Sequence, residues 1–397
     1  MPKGLFMTLK IFLGKIKTFY ILFVKPKKSF VRPGQAQVVI YDRTSVPVLS
    51  PYLTKYQTEL LSIGDSVNLI CFFSAVFQCV LNRIRFLDAY TDAFIRMTQA
   101  TVVITFIDNT ADFYTISTRL PSVKTILIQN GTRDDWLDRL SPCVLRHVDF
   151  MLVHGAAIGR FYRQHISGEV IVAGSMKNNS ISIKRSPVKD TVLYISQFHM
   201  IREGVNSFWI KPDGQSVSAE EFFAIEPVLL NWLADWCQSQ HKRLLVAGRD
   251  SEAQGEERAF YSKYLKGIEW EYFPRSNGYS SYELVDKAEM LVTIDSTLGY
   301  ESLCRNTKLA FLSCRSEKLT AETKKFGWPA RLPESGLFWT NRADQQEIRR
   351  VLDQVNSLSA EQWESARQEF IPEIMALDAN NTQLVALLDS LLLKSLP

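Results

Sequence analysis

The 397-residue chain holds 46 basic and 42 acidic residues, a net charge of +4 that is too slight to point to nucleic acid as a partner. With 46% hydrophobic residues, 22% charged residues and only 18 Gly and 15 Pro, it can bury a sizeable core and is neither disordered nor fibrous. Its six cysteines form no C-x-x-C pair, and several sit in apolar runs such as Ile70-Cys71-Phe72, the pattern of reduced, buried thiols in a cytoplasmic protein.

The positive charge is local. Residues 1–41 carry Lys3, Lys10, Lys15, Lys17, Lys25, Lys27, Lys28 and Arg32 and no acid, which leaves 38 basic against 42 acidic residues beyond them. Apolar residues such as Leu5, Phe6, Phe12 and Phe19 lie between the lysines. A signal peptide would keep its apolar region free of lysine. No run of about 18 apolar residues is present to span a bilayer. Residues 1–35 therefore read as a basic amphipathic segment, with residues 1–34 on an anionic membrane surface. That would make the protein peripheral on the inner face of the cytoplasmic membrane. The competing reading is a helix packed on the protein with its lysines in water.

Further along, 38–41 reads as a strand and 75–99 as helix, with apolar positions three and four apart. The run 101–107 is apolar enough for a buried parallel strand. Strands are also expected at 125–128, 150–153 and 170–172, each followed by polar or Gly residues where ligands collect in open α/β sheets. The polar stretch 176–190 reads as a linker. A second series follows, with strands at 191–196, 243–247, 269–273, 290–294 and 308–312 and helices between them. The pattern is α/β: two Rossmann-like domains, 36–180 and 191–345, with a cleft between them, then helices over 346–397. There Ser359 with Gln362 resembles a capping box, and Leu384, Leu387, Leu388, Leu391 and Leu392 form an apolar face.

The chain has no G-x-G-x-x-G, no P-loop, no H-E-x-x-H and no G-x-S-x-G. It also lacks D-x-D, and its five histidines are not at metal-ligand spacing, so no metal and no resident cofactor are expected. The most informative segment is Met290 to Leu303. A strand runs into Asp295-Ser296-Thr297 and then a helix, whose free N–H groups and two hydroxyls suit a phosphate. Gly299 would let a ligand approach the first turn, and Glu301 could accept hydrogen bonds from ribose. The alternative is a capped helix start that binds nothing.

Ser296-Thr-Leu-Gly-Tyr-Glu301, followed by Leu303 and Lys308-Leu-Ala-Phe, resembles the nucleotide-binding element of GT-B glycosyltransferases. It is similar to that of bacterial surface-carbohydrate biosynthesis proteins, among them retaining Kdo transferases that use CMP-Kdo. Ile107-Asp108-Asn109, Ile128-Gln129-Asn130-Gly131 with Arg133, Val153-His154-Gly155 and Gly174-Ser175-Met176-Lys177-Asn178-Asn179 resemble the same group. The likeness covers roughly residues 100–315. It implies a C-terminal domain that holds the nucleotide sugar and an N-terminal domain that holds the acceptor. On that reading Arg249 and Arg275 would neutralise phosphate, with Ser280, Ser281 and His199 beside the donor. Asn109, Asn130 and Arg133 would meet the acceptor. Asp108, at the tip of an apolar strand, is the first candidate for base or nucleophile, and His154 the second.

The expected activity is metal-independent transfer of a sugar, Kdo or a related nonulosonate from a CMP donor, to a surface polysaccharide or lipid-linked glycan. A nucleotide-sugar epimerase of the same architecture is one alternative. A non-catalytic partner that recruits a glycan assembly complex to the membrane is another.

Overall fold

The computed structural model describes residues 24–133, 137, 145–200, 208–211 and 213–393. Sixteen strands lie in them: β1 (Lys27–Ser29), β2 (Val38–Ile40), β3 (Thr58–Leu60), β4 (Ser66–Asn68), β5 (Val102–Thr105), β6 (Lys124–Ile128), β7 (His147–Val153), β8 (Ser167–Val172), β9 (Val188–Ile195), β10 (Trp209–Ile210), β11 (Ser216–Val217), β12 (Arg243–Ala247), β13 (Trp270–Phe273), β14 (Ala288–Thr293), β15 (Lys308–Leu312) and β16 (Trp339–Thr340). Two six-stranded sheets result, ordered β3-β2-β5-β6-β7-β8 and β13-β12-β9-β14-β15-β16. Every pairing in both is parallel.

The sequence reason is plain. Val102–Thr105 is buried along its length, as are Leu309–Leu312, because helices cover both faces of each sheet. The second sheet has the strand order of dinucleotide-binding folds, which reverses between β9 and β14. The first reverses between β2 and β5. The expected α/β class with two Rossmann-like domains and a cleft between them is what the chain forms.

Three expectations change. The helix over 75–99 is two helices, Leu69–Asn82 and Phe86–Thr98. Arg83 takes a left-handed conformation (φ 54°) and its N–H caps the carbonyl of Cys79 at 3.1 Å, so the chain turns back on itself. The stretch 176–190 is not a free linker: Met176–Asn179 is a helical turn capped by Ser175, and β9 starts at Val188. Of the basic segment 1–35, residues 1–23 lie outside the described residues. The part that follows includes β1, a strand paired in parallel with β4 and not a helix; Pro26 lacks the amide that a continuing helix needs.

The last helices divide between the domains. Gln345–Ser357 buries Ile348, Val351, Leu352 and Val355 against the second sheet. Ser359 and Gln362 do form a capping box. The chain then crosses back: the amide of Ala376 donates to the carbonyl of His154 at 2.7 Å, and Thr382–Leu392 packs Leu384, Leu388 and Leu392 under the first sheet. Arg305, fully buried, holds the same junction. It pairs with Asp286 (2.5 and 2.9 Å) and donates to Asn178 Oδ1 (3.1 Å) and the carbonyl of Ser182 (3.3 Å).

Candidate functional site

The carboxyl ends of β9, β12 and β14 open on the cleft with Ser196-Gln197, Gly248-Arg249 and Asp295-Ser296. Asn130 and Thr132 approach from the loop after β6, and Lys177 from the turn after β8. Together they line a cavity of about 410 Å³ at the point where the strand order reverses. A hollow of about 500 Å³ lies at the opposite ends of β9 and β12, around Lys189, Asp190, His241 and Glu269. It has no helix start aimed into it, so the cleft is the better site.

Ser296 caps the helix Thr297–Cys304, its Oγ accepting from the amide of Leu298 at 3.3 Å. Thr297 Oγ1 accepts from the amide of Thr132 at 3.2 Å, so the loop of one domain touches the helix start of the other. Three cations ring this start. Arg249 has only long contacts, to the carbonyls of Gln197 (3.4 Å) and Phe198 (3.5 Å). Arg275 likewise meets only the carbonyl of Asn277 at 3.4 Å. A guanidinium has five N–H donors, so most remain available. Lys177, which the sequence placed in a linker, is half-buried with its Nζ 5.5 Å from the Phe106 ring. Burial, and then the neighbouring Arg275, lower its pKa below the ordinary lysine value.

The carboxylates of the cavity do not cancel these charges. Asp295 is ion-paired with Arg315; burial opposes its charge, but Arg315 with Lys324 and Arg249 outweighs burial and holds its pKa below the ordinary value. Glu301 accepts from the hydroxyls of Ser175 and Tyr282 (2.8 Å), joining the two domains. Burial raises its pKa. Ribose contact by Glu301 is thus limited to lone pairs these hydroxyls leave. Three cations against two carboxylates that are already partnered, beside a helix start, make a site for an anion.

The other expected residues fall as follows. Ser281 lines the cavity, whereas Ser280 caps its own loop, its Oγ accepting from the amide of Ser276 at 3.3 Å. His199 stands outside the cavity, stacked on Phe223 at 5.7 Å in a smaller hollow that Arg249 and Arg275 share. Asn109 is exposed and does not line the cavity. Gly299 faces inward, away from any ligand: a Cβ there would meet Thr293 Cγ2 at 2.5 Å and Phe311 at 3.0 Å. Replacing Gly299 by Ala is therefore expected to cost about 1–3 kcal/mol through overpacking, read as a lower Tm; an unchanged Tm would contradict this packing role.

Asp108 is corrected most. It is fully buried, and its carboxylate accepts from Arg133 Nε (2.8 Å) and Nη2, from the Tyr162 hydroxyl (2.6 Å) and from the amide of Asn130 (3.3 Å). So enclosed, and absent from the cavity lining, the carboxylate is held as an anchor in this structure. Arg133 is consumed by this pair and by Asn130 Oδ1, so it shapes the loop 130–133. Asn130 itself does line the cavity.

His154 is also buried and does not line the cavity. Burial depresses its pKa to about 4, with Arg133 adding to burial and Asp108 opposing it. The folded protein thus binds fewer protons than the unfolded chain, whose imidazole titrates at about 6.5. This contribution is complete above about pH 6.5 and is lost as the pH falls towards 4, roughly 3 kcal/mol in all. Unfolding measured against pH should lose that slope in His154→Gln; the same slope in both proteins would show that His154 is not its source.

Among the described residues no group of three or more His, Cys, Asp or Glu is placed to hold a metal ion, and no helix is long and apolar enough to cross a membrane.

The model of a family described as "putative O-antigen biosynthesis protein" matches residues 126–392, about two thirds of the chain. The chain belongs to this O-antigen biosynthesis family. The match runs from β6 to the last helix and so includes both walls of the cleft. No curated protein matches the chain. Among solved structures it is similar to Staphylococcus aureus MnaA, solved with UDP (TM-score 0.54, 12% identity, covering 91% of this chain and 98% of that one). It is also similar to a glycosyltransferase from Rickettsia africae (TM-score 0.51, 10% identity, covering 94% and 100%). At these identities the likeness is one of fold, which is GT-B.

Proposed function

We propose that this family member is a glycosyltransferase of surface-glycan assembly that binds a nucleotide sugar in the cleft. One observation carries the reading: Lys177, Arg249 and Arg275 line the cleft around the start of the helix Thr297–Cys304, three cations against two carboxylates, Asp295 and Glu301, that have partners of their own. That is a place for the phosphate of a donor, whose charge these side chains would neutralise in the role a metal has elsewhere. The glycosyltransferase of the same fold from R. africae agrees with it. The sequence likeness to Kdo transferases makes a CMP-linked nonulosonate the first donor to test.

The acceptor, a glycan on a lipid carrier, would enter from the N-terminal domain beside Asn130 and Thr132. Both cavity carboxylates have partners, so the reading assigns no protein nucleophile. The acceptor oxygen forms the new bond to the sugar carbon while the bond from that carbon to the phosphate oxygen breaks. The acceptor proton passes to the departing phosphate. Held on one face, the sugar keeps its configuration. The lysines of residues 1–34 would bring the protein to the anionic inner membrane face, where such acceptors are presented.

The test is transfer from CMP-Kdo, with UDP- and GDP-sugars beside it, to a lipid-linked acceptor. Product that requires acceptor supports the proposal. Donor converted without acceptor would instead make the protein an epimerase. Absence of any stabilisation by CMP, UDP, GDP or ADP, where about 2.7 kcal/mol is expected at 100 times Kd, would leave a non-catalytic role.

A further inference from the structure

The helix Leu69–Asn82 contains no charged residue. Its inner side is occupied, with Cys71 and Ala75 buried. The outer side of such a helix is ordinarily polar. Here Phe73, Phe77, Val80 and Leu81 are 62, 65, 76 and 61% exposed, and Ile70 and Val76 extend the same face. Phe30 and Val31 adjoin it: Asn68, which caps the helix, donates from Nδ2 to the carbonyl of Val31 at 2.7 Å. Among the described residues, eight of the 18 exposed large apolar side chains thus gather on one face of the N-terminal domain, where scattered ones would need no explanation.

Its border is basic. Lys27, Lys28 and Arg32 are exposed beside the start of the helix, where β1 pairs with β4, and Arg83 is exposed just past its end. Nearby acids are engaged: Asp65 with Arg43 at 3.7 Å and Asp112 with Arg85 at 3.0 Å.

We infer that this face docks on an anionic lipid bilayer, with Phe73, Phe77 and Val80 among the acyl chains and the basic border among the headgroups. The charges select this occupant. A second copy would set two basic borders against each other, at a cost in repulsion. In sequence, residues 1–23 carry Lys3, Lys10, Lys15 and Lys17 and no acid. The proposal rests on the membrane reading of residues 1–34, which supply most of the basic border, and adds the helix Leu69–Asn82 as the apolar part; it turns the acceptor-side domain towards the lipid that carries the acceptor.

The test uses the full chain, which keeps residues 1–34 in every sample. Flotation with vesicles of phosphatidylcholine, alone and with phosphatidylglycerol, compares the parent with Phe73→Glu/Phe77→Glu. Both side chains point outward, so melting and nucleotide binding should be unchanged. The parent should partition to the anionic vesicles and the variant at least about tenfold less, as expected for two aromatic rings withheld from the apolar layer. Lys27→Glu/Arg32→Glu should lose binding to anionic vesicles specifically. Equal partition of the parent and the Phe variant would overturn the proposal, as would a parent dimer that the variant dissociates without vesicle binding by either.

Discussion

Asp108→Ala is expected to lower the stability of the protein by about 3–5 kcal/mol, because it leaves the Arg133 guanidinium buried without its counter-charge. On a domain of this size that is a fall in Tm of about 10 °C. The hydroxyl of Tyr162 loses its acceptor as well. Asp108→Asn keeps the shape but not the charge and should also destabilise. The double variant Asp108→Leu/Arg133→Met, which removes both partners, should be more stable than the single Asp108→Ala. Thermal unfolding of the three variants decides. Asp108→Asn with the parent Tm, intact nucleotide binding and no transfer would restore the carboxylate as a reacting group.

Arg249→Ala and Arg275→Ala have the opposite signature. Each removes a cation that lines the cavity and whose hydrogen bonds in the protein itself are long ones to backbone carbonyls. Tm should therefore stay within a degree or two of the parent. A charge-assisted hydrogen bond to phosphate is worth about 1.5–3 kcal/mol, so each change should weaken nucleotide binding by about 10- to 100-fold. Lys177→Ala should act in the same direction. Titration calorimetry with the free nucleotide measures it. Parent affinity in all three variants would remove the phosphate from this end of the cleft.

These two sets of residues also show how far the sequence reaches. The parallel sheets are legible in it because their strands are apolar on both faces: 101–107 reads as a buried strand and 308–312 as a strand of the second series, and β5 and β15 lie there. The edge strands β3 and β16 escape such a reading. They are three and two residues long, too short for a period to register. In the site, Ser296, Thr297 and Arg249 can be placed because they follow such strands directly. Asp108 has the same position, yet its meaning depends on Arg133 and Tyr162, 25 and 54 residues away, and no local pattern carries that pairing. Gly299 misleads for a related reason. A glycine in a first helical turn suits ligand approach and close packing equally, and only the positions of Thr293 and Phe311 choose between them. Lys177 stands in a polar stretch; its local signals are Ser175, a cap at a strand tip, and the likeness of the segment 174–179, and neither gives it a role.

Everything proposed for the chemistry depends on the cleft between the two sheets binding the phosphate of a nucleotide sugar. A crystal structure with CMP, or with the nucleotide that stabilises the protein most, tests this directly. Phosphate oxygens are expected within hydrogen-bond distance of Arg249, Arg275 or Lys177 and of the amides that open the helix Thr297–Cys304. A nucleotide bound away from this helix start, with those three cations still in contact only with protein and water, would contradict it.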